Sequence, residues 1–235
     1  MTMMREIVFD TETTGLSASG GDRLVEIGCI EMIGRVETGV TFHRYVNPDR
    51  MMPPEAQAVH GLSDAFLRDK PRFAEIIDDL IAFIGDDAML IAHNAAFDFG
   101  FVDAEFARCG RPPLDRARMI DTVAMARRLH PGAKHSLDAL CTRYGIDRSH
   151  RVKHGALLDA ELLAQLYVEM TGGRQIGLGL ASGAEAAALA VVASAEVRGD
   201  RPYRAPRPHS ASEADLARHA DFISGIDNAI WLQTA

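Results

Sequence analysis

The sequence predicts an α/β protein in which a mixed sheet is flanked by helices. Strand-like apolar segments come first along the chain and then alternate with segments of helical apolar spacing, an order that favours a sheet covered by helices. The chain has 235 residues, of which 47% are hydrophobic, so it can form one well-packed domain with residues left over.

Four short apolar segments have the pattern of β-strands: 5–9, 24–32, 40–46 and 89–92. The last is short and wholly apolar, as a buried strand would be. The first is followed at once by the polar stretch from Asp10 to Gly15. Polar residues at the end of a buried strand are a candidate functional site.

Five later segments predict helices. In residues 73–84 the apolar side chains recur at helical spacing, at Phe73, Ile76, Ile77, Leu80, Ile81 and Ile84. After residue 92 a second helix would carry Phe99, Val102, Phe106 and Cys109 on one side. Segments 121–129 and 136–144 each end at a proline or glycine, and the longest pattern, 156–170, ends at Gly172 and Gly173.

The composition divides the chain into three parts: a folded domain over 1–173, a flexible linker over 174–211 and a C-terminal helical segment over 212–235. Residues 177–210 are rich in Gly, Ala, Pro and Arg and offer few groups for a core. The last part begins with Ser212 and Asp215, a pattern similar to a capping box. Its apolar residues follow: Leu216, Phe222, Ile223, Ile226 and the single tryptophan, Trp231.

Composition also limits the possible classes of protein. No apolar stretch approaches about 18 residues, so no transmembrane helix is expected. Cys29, Cys109 and Cys141 lie far apart without zinc-ligand spacing, which favours free thiols in a reducing cytosol. The net charge of −8 opposes phosphate binding, but residues 116–153 hold nine Lys/Arg and three Asp. This balance predicts weak intrinsic affinity for DNA, with metal ions or a partner supplying the rest.

Asp10 and Glu12 are two residues apart, so on an extended strand their side chains point to the same side. Two carboxylates on one face repel each other unless a cation lies between them, and a divalent ion is the usual solution. The alternative is a solvated loop in which the two acids occur by chance.

Asp98 stands between Phe97 and Phe99, where burial without a partner would be costly. It could instead be an acid favoured by the dipole at a helix N-terminus. His154 and Asp159 are five residues apart, about 140° around a continuous helix. If His154 precedes the helix, as Gly155 suggests, it can reach the side that Asp159 faces; the alternative is that both are surface residues.

These residues together resemble the three exonuclease motifs of the DEDDh family: the stretch from Asp10 to Gly15, the stretch from His93 to Asp98, and His154 followed by Asp159. Residues 4–173 are similar throughout to the family of proofreading ε subunits of bacterial DNA polymerase III. Further matching stretches are 54–61, 136–141 and 154–159. Three ordered motifs with the family spacing are far more specific than any one of them, and no catalytic position departs from the pattern.

The resemblance implies a ribonuclease-H-like fold and a 3′→5′ exonuclease that removes nucleotides from DNA ends. It implies two divalent cations, Mg²⁺ or Mn²⁺, held by Asp10, Glu12, Asp98 and Asp159. Two such ions about 3.5–4 Å apart would stabilise the attacking water and the leaving 3′ oxygen, and oxygen ligands suit these hard ions. His154 would be the general base, since histidine has an ordinary pKa of about 6.5.

The resemblance also implies binding residues and partners. The terminal nucleotides would contact Thr11, Thr13, Glu55, His60, Asn94 and Phe97, although Phe97 could equally be a core residue. The C-terminal segment would bind the polymerase catalytic α subunit, in a nucleoid-associated replisome of a bacterial cytoplasm. Gln175, Leu178 and Leu180 resemble a sliding-clamp-binding pattern, with ordinary linker sequence as the alternative.

Two other functions are compatible with parts of this pattern. An exoribonuclease of the same fold would use the same catalytic set, because the metals bind phosphate rather than sugar. The linker and C-terminal segment favour a tethered proofreading enzyme over it. A non-enzymatic subunit that kept the fold is disfavoured by the complete set of four acids and His154.

Overall fold

The computed structural model describes residues 4–149, 151, 153–173 and 210–227. Chain contacts divide the molecule into two units, Met1–Leu178 and Gly179–Ala235. Nearly all of the predicted linker lies outside the described residues, as do Trp231 and the clamp-pattern residues Gln175, Leu178 and Leu180.

A five-stranded mixed sheet forms the centre of the first unit within the described residues. The pairs β1–β2 and β2–β3 are antiparallel, whereas β1–β4 and β4–β5 are parallel. The spatial order is β3-β2-β1-β4-β5, with β1 in the middle. The strands are β1 Arg5–Thr13, β2 Leu24–Ile33, β3 Val36–Tyr45, β4 Met89–Ala92 and β5 Met119–Asp121. The predicted mixed sheet is therefore confirmed.

The first strand is longer than its apolar pattern indicates. It continues to Thr13 because β2 remains paired with it beyond Phe9, with Asp10 opposite Gly28 and Glu12 opposite Glu26. The acidic motif is thus part of the central strand rather than of a loop after it. Backbone hydrogen bonding to a neighbouring strand holds these polar residues extended, and side-chain hydropathy does not reveal such pairing.

Seven α-helices surround the sheet within the described part of the first unit. They are α1 Pro54–His60, α2 Asp64–Leu67, α3 Phe73–Ile84, α4 Ala95–Arg108, α5 Thr122–Leu129, α6 Leu137–Tyr144 and α7 Ala156–Met170. The bounds of α3 and α7 are those predicted. Helices α1 and α2 were not predicted, since α1 buries only His60 and α2 only Leu67. Such short exposed helices lack an apolar period.

Two apolar layers lie on opposite faces of the sheet. Ile7 belongs to the layer that contains Phe73 of α3 and Phe99 of α4. Its neighbour Val8 belongs to the other layer, with Leu163 of α7, as expected from the alternation of side chains along a strand. The three cysteines are free thiols, with Cys29 and Cys141 buried. The sheet is thus covered by helices on both faces, with α7 packed against β1 and β2.

The described part of the second unit contains one helix, α8, Glu213–Ser224. Its N-terminus is capped by Ser212, whose side chain accepts a hydrogen bond from the Asp215 amide, as the sequence predicts. Leu216 and Phe222 are exposed and Ile223 is buried. None of the helices in the described residues combines the length and hydropathy that crossing a bilayer requires.

Candidate metal centre and active site

The first two candidate ligands lie at the end of β1, under the beginning of α7. Glu12 is buried and Asp10 is half-buried. They are two residues apart in a paired strand, so both side chains point to the same side of the sheet. This is the arrangement that the sequence predicts.

The third carboxylate comes from the first turn of α4. Strand β4 runs parallel to β1 and ends at Ala92, and Asn94 takes a left-handed conformation (φ 65°) that turns the chain into the helix. The buried Asp98 then reaches β1, where its Oδ1 accepts hydrogen bonds from Thr11 N at 3.1 Å and Thr11 Oγ1 at 2.7 Å. The structure therefore uses Asp98 to join α4 to the central strand.

Asp159 and His154 come from the N-terminus of α7 and the loop before it. The helix begins at Ala156, so His154 precedes it as predicted, and its Nδ1 lies 3.1 Å from Asp159 Oδ2. The helix approaches β2 closely because the facing residue is Gly28. A Cβ at Gly28 would lie only 2.4 Å from Leu157 Cα. A residue without a side chain is therefore needed at position 28.

The fold brings these residues into one cluster. Single donor atoms of Glu12, His154 and Asp159 lie within 4.8 Å of one another, a spacing suited to a metal ion. The charges of Asp98, Glu12 and Asp159 act on Asp10 and raise its pKa, so Asp10 belongs to the same cluster. Carboxylate oxygens are the donors that hard divalent cations prefer, so the residues present fit such an ion.

The pKa values of the carboxyl groups reflect their burial and mutual repulsion. Burial, followed by the charges of Asp98 and Glu12, raises the pKa of Asp10 well above its usual value. Burial and then the charge of Asp159 raise the pKa of Glu12 to about 8. Burial raises the pKa of Asp98 to about 7, although hydrogen bonds from Thr11 act in the opposite direction. A cation between these groups would relieve the repulsion.

Arg151 is a member of the site that the sequence analysis did not identify. Its guanidinium donates to both carboxylate oxygens of Asp159, from Nε to Oδ1 and from Nη2 to Oδ2, each at 2.6 Å. Its Nη1 binds Asp138 Oδ1 at 2.7 Å, and its Nη2 lies 2.6 Å from His154 Nδ1. The side chain is only 10% exposed. The one sequence signal was an arginine three residues before the candidate base.

Glu26 is a further buried carboxylate beside the site, which the sequence also did not predict. It lies opposite Glu12 in the register of β1 and β2, and its charge contributes to the raised pKa values of Glu12 and Asp10. His43 of β3 holds it, with Nε2 2.7 Å from Glu26 Oε1. An acid in the strongly apolar stretch 24–32 was the signal that could have found it.

Most of the predicted substrate-binding residues line one cavity of about 530 Å³ beside Glu12. Leu16 and Val59, which were not predicted, line it as well and are exposed. The predicted residues that line it are Thr11, Thr13, Glu55, His60 and Phe97.

The side chains around this cavity are already held by the protein. The hydroxyl of Thr13 donates to Gly15 O at 2.6 Å. His60 Nδ1 accepts from Leu62 N at 3.0 Å, and burial lowers the pKa of His60, so the neutral ring carries its proton on Nε2. Phe97 is half-buried against the core residue Phe101, with 4.9 Å between ring centroids. It therefore lines the cavity and packs against the core.

Asn94 is not among the cavity residues, and its backbone N–H donates to Asp121 Oδ1 at 3.1 Å. In the structure this residue serves the turn between β4 and α4.

The basic segment 116–153 offers fewer accessible cations than its composition indicates. Arg116, Arg148 and Arg151 form ion pairs with acidic side chains. Arg118 donates to the carbonyls of Ala88 and Ile84. These contacts reduce the positive charge available to a phosphate backbone. Weak intrinsic DNA affinity stays a prediction.

Comparison with known proteins places this geometry in context. The family model described as Exonuclease matches residues 7–167. The DNA polymerase III subunit epsilon of Rickettsia conorii is 44% identical over 229 residues, covering 96% of this chain and 98% of the relative. The subunit of the same name from Escherichia coli K12 is 50% identical over 177 residues, covering 72% of each chain.

Solved structures agree with these similarities. Exonuclease X in complex with 5′ overhanging duplex DNA is 31% identical, with a TM-score of 0.54 over 72% of this chain and 91% of that one. E. coli exonuclease I, in a zinc-bound complex with single-stranded DNA, is 20% identical with a TM-score of 0.63. It matches over 73% of this chain and 41% of that one, and this likeness concerns the fold alone.

Proposed function

The chain belongs to the exonuclease family, among the epsilon subunits of bacterial DNA polymerase III, and from this premise we propose how its side chains hydrolyse DNA ends. It is a 3′→5′ exonuclease with a proofreading function. The observation that carries the catalytic assignment is the grouping of Asp10, Glu12, Asp98 and Asp159, three of them buried, with His154 beside Asp159. A buried carboxylate cluster of this kind is costly unless it serves a cation.

Catalysis in this family depends on divalent cations, and we propose Mg²⁺ or Mn²⁺ with the four carboxylates as ligands. Two such ions would polarise the scissile phosphate and stabilise the charge that develops on the leaving oxygen. The protein's own contribution is to fix the ligands: β1 supplies two of them, and the first turns of α4 and α7 supply one each.

His154 is proposed as the general base that takes a proton from the attacking water. Its side chain is 47% exposed, so water has access to it, and it lies beside Asp159 at the edge of the carboxylate cluster. A neutral imidazole accepts a proton near neutral pH, which the carboxylates bound to a metal do poorly.

The cavity of about 530 Å³ is the proposed site for the terminal nucleotide. His60 forms part of the wall, the Thr13 oxygen offers a hydrogen-bonding group, and Phe97 offers an aromatic face for a base. Glu55 and the backbone around Thr11 complete the wall. Asn94 is proposed to act through its turn, by holding the segment before α4.

We place the association with the polymerase catalytic α subunit on α8 and the residues after it. The exposed Leu216 and Phe222 provide apolar contact area within the described residues. A flexible linker would raise the local concentration of the nuclease at a primer end to roughly millimolar. Clamp binding through Gln175, Leu178 and Leu180 is a separate proposal, tested by clamp retention of a triple alanine variant. These partners imply a place in the bacterial replisome.

Degradation of matched DNA and RNA oligonucleotides tests the substrate. With Mn²⁺ present we expect faster release of mononucleotides from the 3′ end of DNA, and no release by Asp10→Ala. A rate on RNA equal to or above that on DNA would favour the exoribonuclease alternative. Release by Asp10→Ala at the wild-type rate would reject the metal-ligand assignment.

A further inference from the structure

The contacts of Arg151 overlap with those required of a metal ion. Among Glu12, His154 and Asp159, whose donor atoms form the candidate metal group, the guanidinium contacts two. Its Nη2 lies 2.6 Å from Asp159 Oδ2 and 2.6 Å from His154 Nδ1. These two acceptors are themselves 3.1 Å apart. One nitrogen of the arginine therefore occupies the side of Asp159 Oδ2 that faces His154, where a cation bound to Asp159 could lie.

The position of Arg151 has an electrostatic reason. The acidic cluster is buried, and repulsion among its members raises their pKa values. Burial and the charge of Asp159 raise the pKa of Glu12, and the charge of Arg151 acts in the opposite direction. Burial lowers the pKa of Arg151, but its hydrogen bond to Asp159 acts the other way and the pKa is raised overall. The parallel N–H donors of a planar guanidinium can pair with both oxygens of a carboxylate at once. Arg151 thus acts as a counter-ion for the cluster.

Arg151 and a divalent cation cannot both bind Asp159 Oδ2 tightly on the side that faces His154. Metal–oxygen bonds to Mg²⁺ are about 2.0–2.1 Å long, so an ion that bound Asp159 Oδ2 on the side facing His154 would need the place that Nη2 holds. The two positive groups would repel each other at this short distance. Binding of one therefore weakens binding of the other, and the effect is reciprocal.

The structure offers Arg151 an alternative position. Its Nη1 already binds Asp138, whose side chain is 51% exposed. Beside this contact lies an open cavity of about 720 Å³ lined by Arg151, Asp138 and Arg148. The arginine can leave Asp159 while it remains attached to Asp138, so its charge would stay near the site without occupying it.

Release of Arg151 also affects His154. A guanidinium only donates hydrogen bonds, so His154 Nδ1 must accept from Nη2, and the proton of the neutral ring then sits on Nε2. In that tautomer Nε2 cannot accept a proton from water. Departure of the arginine frees Nδ1 to donate to Asp159 Oδ2, 3.1 Å away, and leaves Nε2 able to accept.

We propose that Arg151 is a built-in counter-ion that divalent metal displaces from Asp159, so that metal loading also releases His154. Arg151 is then a positioning residue that competes with the metal, rather than a permanent support of a metal ligand. The inference rests on the proposed metal cage, and it adds that the cage is filled by exchange of one cation for another.

The test is the affinity of the full-length, EDTA-treated protein for Mn²⁺ alone, measured by titration calorimetry. Arg151→Met should bind Mn²⁺ more tightly by at least about fivefold, the lower end of typical coupling between competing ligands. Arg151→Lys keeps the positive charge but loses the paired donors of the guanidinium, so its affinity for Mn²⁺ should lie between those of wild type and Arg151→Met. The matched control is Arg148→Met, which removes another arginine bound to Asp138 and should leave the affinity within twofold.

Melting temperatures give a second readout. In EDTA Arg151→Met should melt below wild type, and the increase caused by Mn²⁺ should be larger than in wild type. If Arg151→Met does not fold, the same measurements on Arg151→Lys test the proposal, with tighter Mn²⁺ binding than wild type as the expected result. Unchanged or weaker Mn²⁺ binding by the arginine variants would overturn the proposal while leaving the metal cage intact. Absence of saturable Mn²⁺ binding by wild type would instead reject the cage, and the exchange with it.

Discussion

Replacing Gly28 with alanine tests how the position of α7 controls the active site. Gly28 lies on β2 opposite Asp10, and its Cα faces the backbone at the beginning of α7. An added Cβ would lie 2.4 Å from Leu157 Cα and 2.5 Å from Ala156 C, about 1 Å short of ordinary contact. Backbone atoms cannot rotate away as a flexible side chain can, so the helix must retreat by roughly that distance.

The retreat should affect catalysis more than folding. Overpacking of this kind typically costs about 1–3 kcal/mol, so the melting temperature should fall by several degrees while the protein remains folded. Asp159 lies in the first turn of α7, and a displacement of about 1 Å at a catalytic constellation can lower the rate roughly 10²-fold. The assay is release of mononucleotides from a 3′-labelled DNA primer in Mn²⁺, together with thermal denaturation.

Gly100→Ala is the matched control for Gly28→Ala. Gly100 lies inside α4, and a Cβ there would meet no heavy atom within 4 Å. Alanine should stabilise this helix by about 0.5–1 kcal/mol and leave turnover unchanged. Turnover of Gly28→Ala within threefold of wild type would instead show that the close approach of α7 is unnecessary for catalysis.

Four further predictions follow from the site and the tail. Asp159→Ala should abolish exonuclease activity in Mg²⁺ while the domain stays folded by circular dichroism; activity within a few-fold of wild type would reject the metal-ligand role. His154→Ala should retain Mn²⁺ binding but lose roughly 10²–10⁴ in rate, so full turnover at neutral pH would require another base. The pKa of Glu12 is raised from 4.5 in its ordinary state to about 8 in the folded protein. Protonation of Glu12 therefore stabilises the folded protein, and this stabilisation is complete below the ordinary pKa and is lost as the pH rises through about 8. In EDTA the melting temperature should therefore fall between about pH 5 and pH 8, and less so in Glu12→Gln; equal slopes for both proteins would exclude Glu12 as the cause. A chain ending at Gly179 should digest free oligonucleotides normally but should no longer co-elute with the polymerase catalytic subunit. Trp231→Ala should weaken the same association by about 1 kcal/mol or more. Stoichiometric co-elution of the truncated protein would place the anchor in the nuclease domain.

The mixed sheet and its main helices were predictable because their apolar side chains recur with the period of each element. Helix α3 shows this most clearly, since its buried residues give the bounds 73–84 without reference to the rest of the fold. Helices α1 and α2 and strand β5 were not predictable in this way. They are short, and neighbouring elements rather than an internal apolar pattern hold them in place.

The candidate catalytic residues were assigned through their resemblance to the exonuclease motifs, and the local sequence added a weaker signal. Asp98 between two phenylalanines and Asp159 within an apolar helix are acids in positions where burial requires a partner. Arg151 and Glu26 could not be assigned from spacing alone. Their roles depend on contacts with residues on other elements, the guanidinium with Asp138 and the glutamate with His43. Sequence distance does not encode such contacts.

The most direct test of the account is digestion of a DNA primer carrying a 3′-terminal mismatch, with and without Mg²⁺. We expect stepwise loss of nucleotides from the 3′ end in Mg²⁺, and no loss in EDTA or in Asp10→Ala. Cleavage that persists in EDTA, or that begins at the 5′ end, would contradict it.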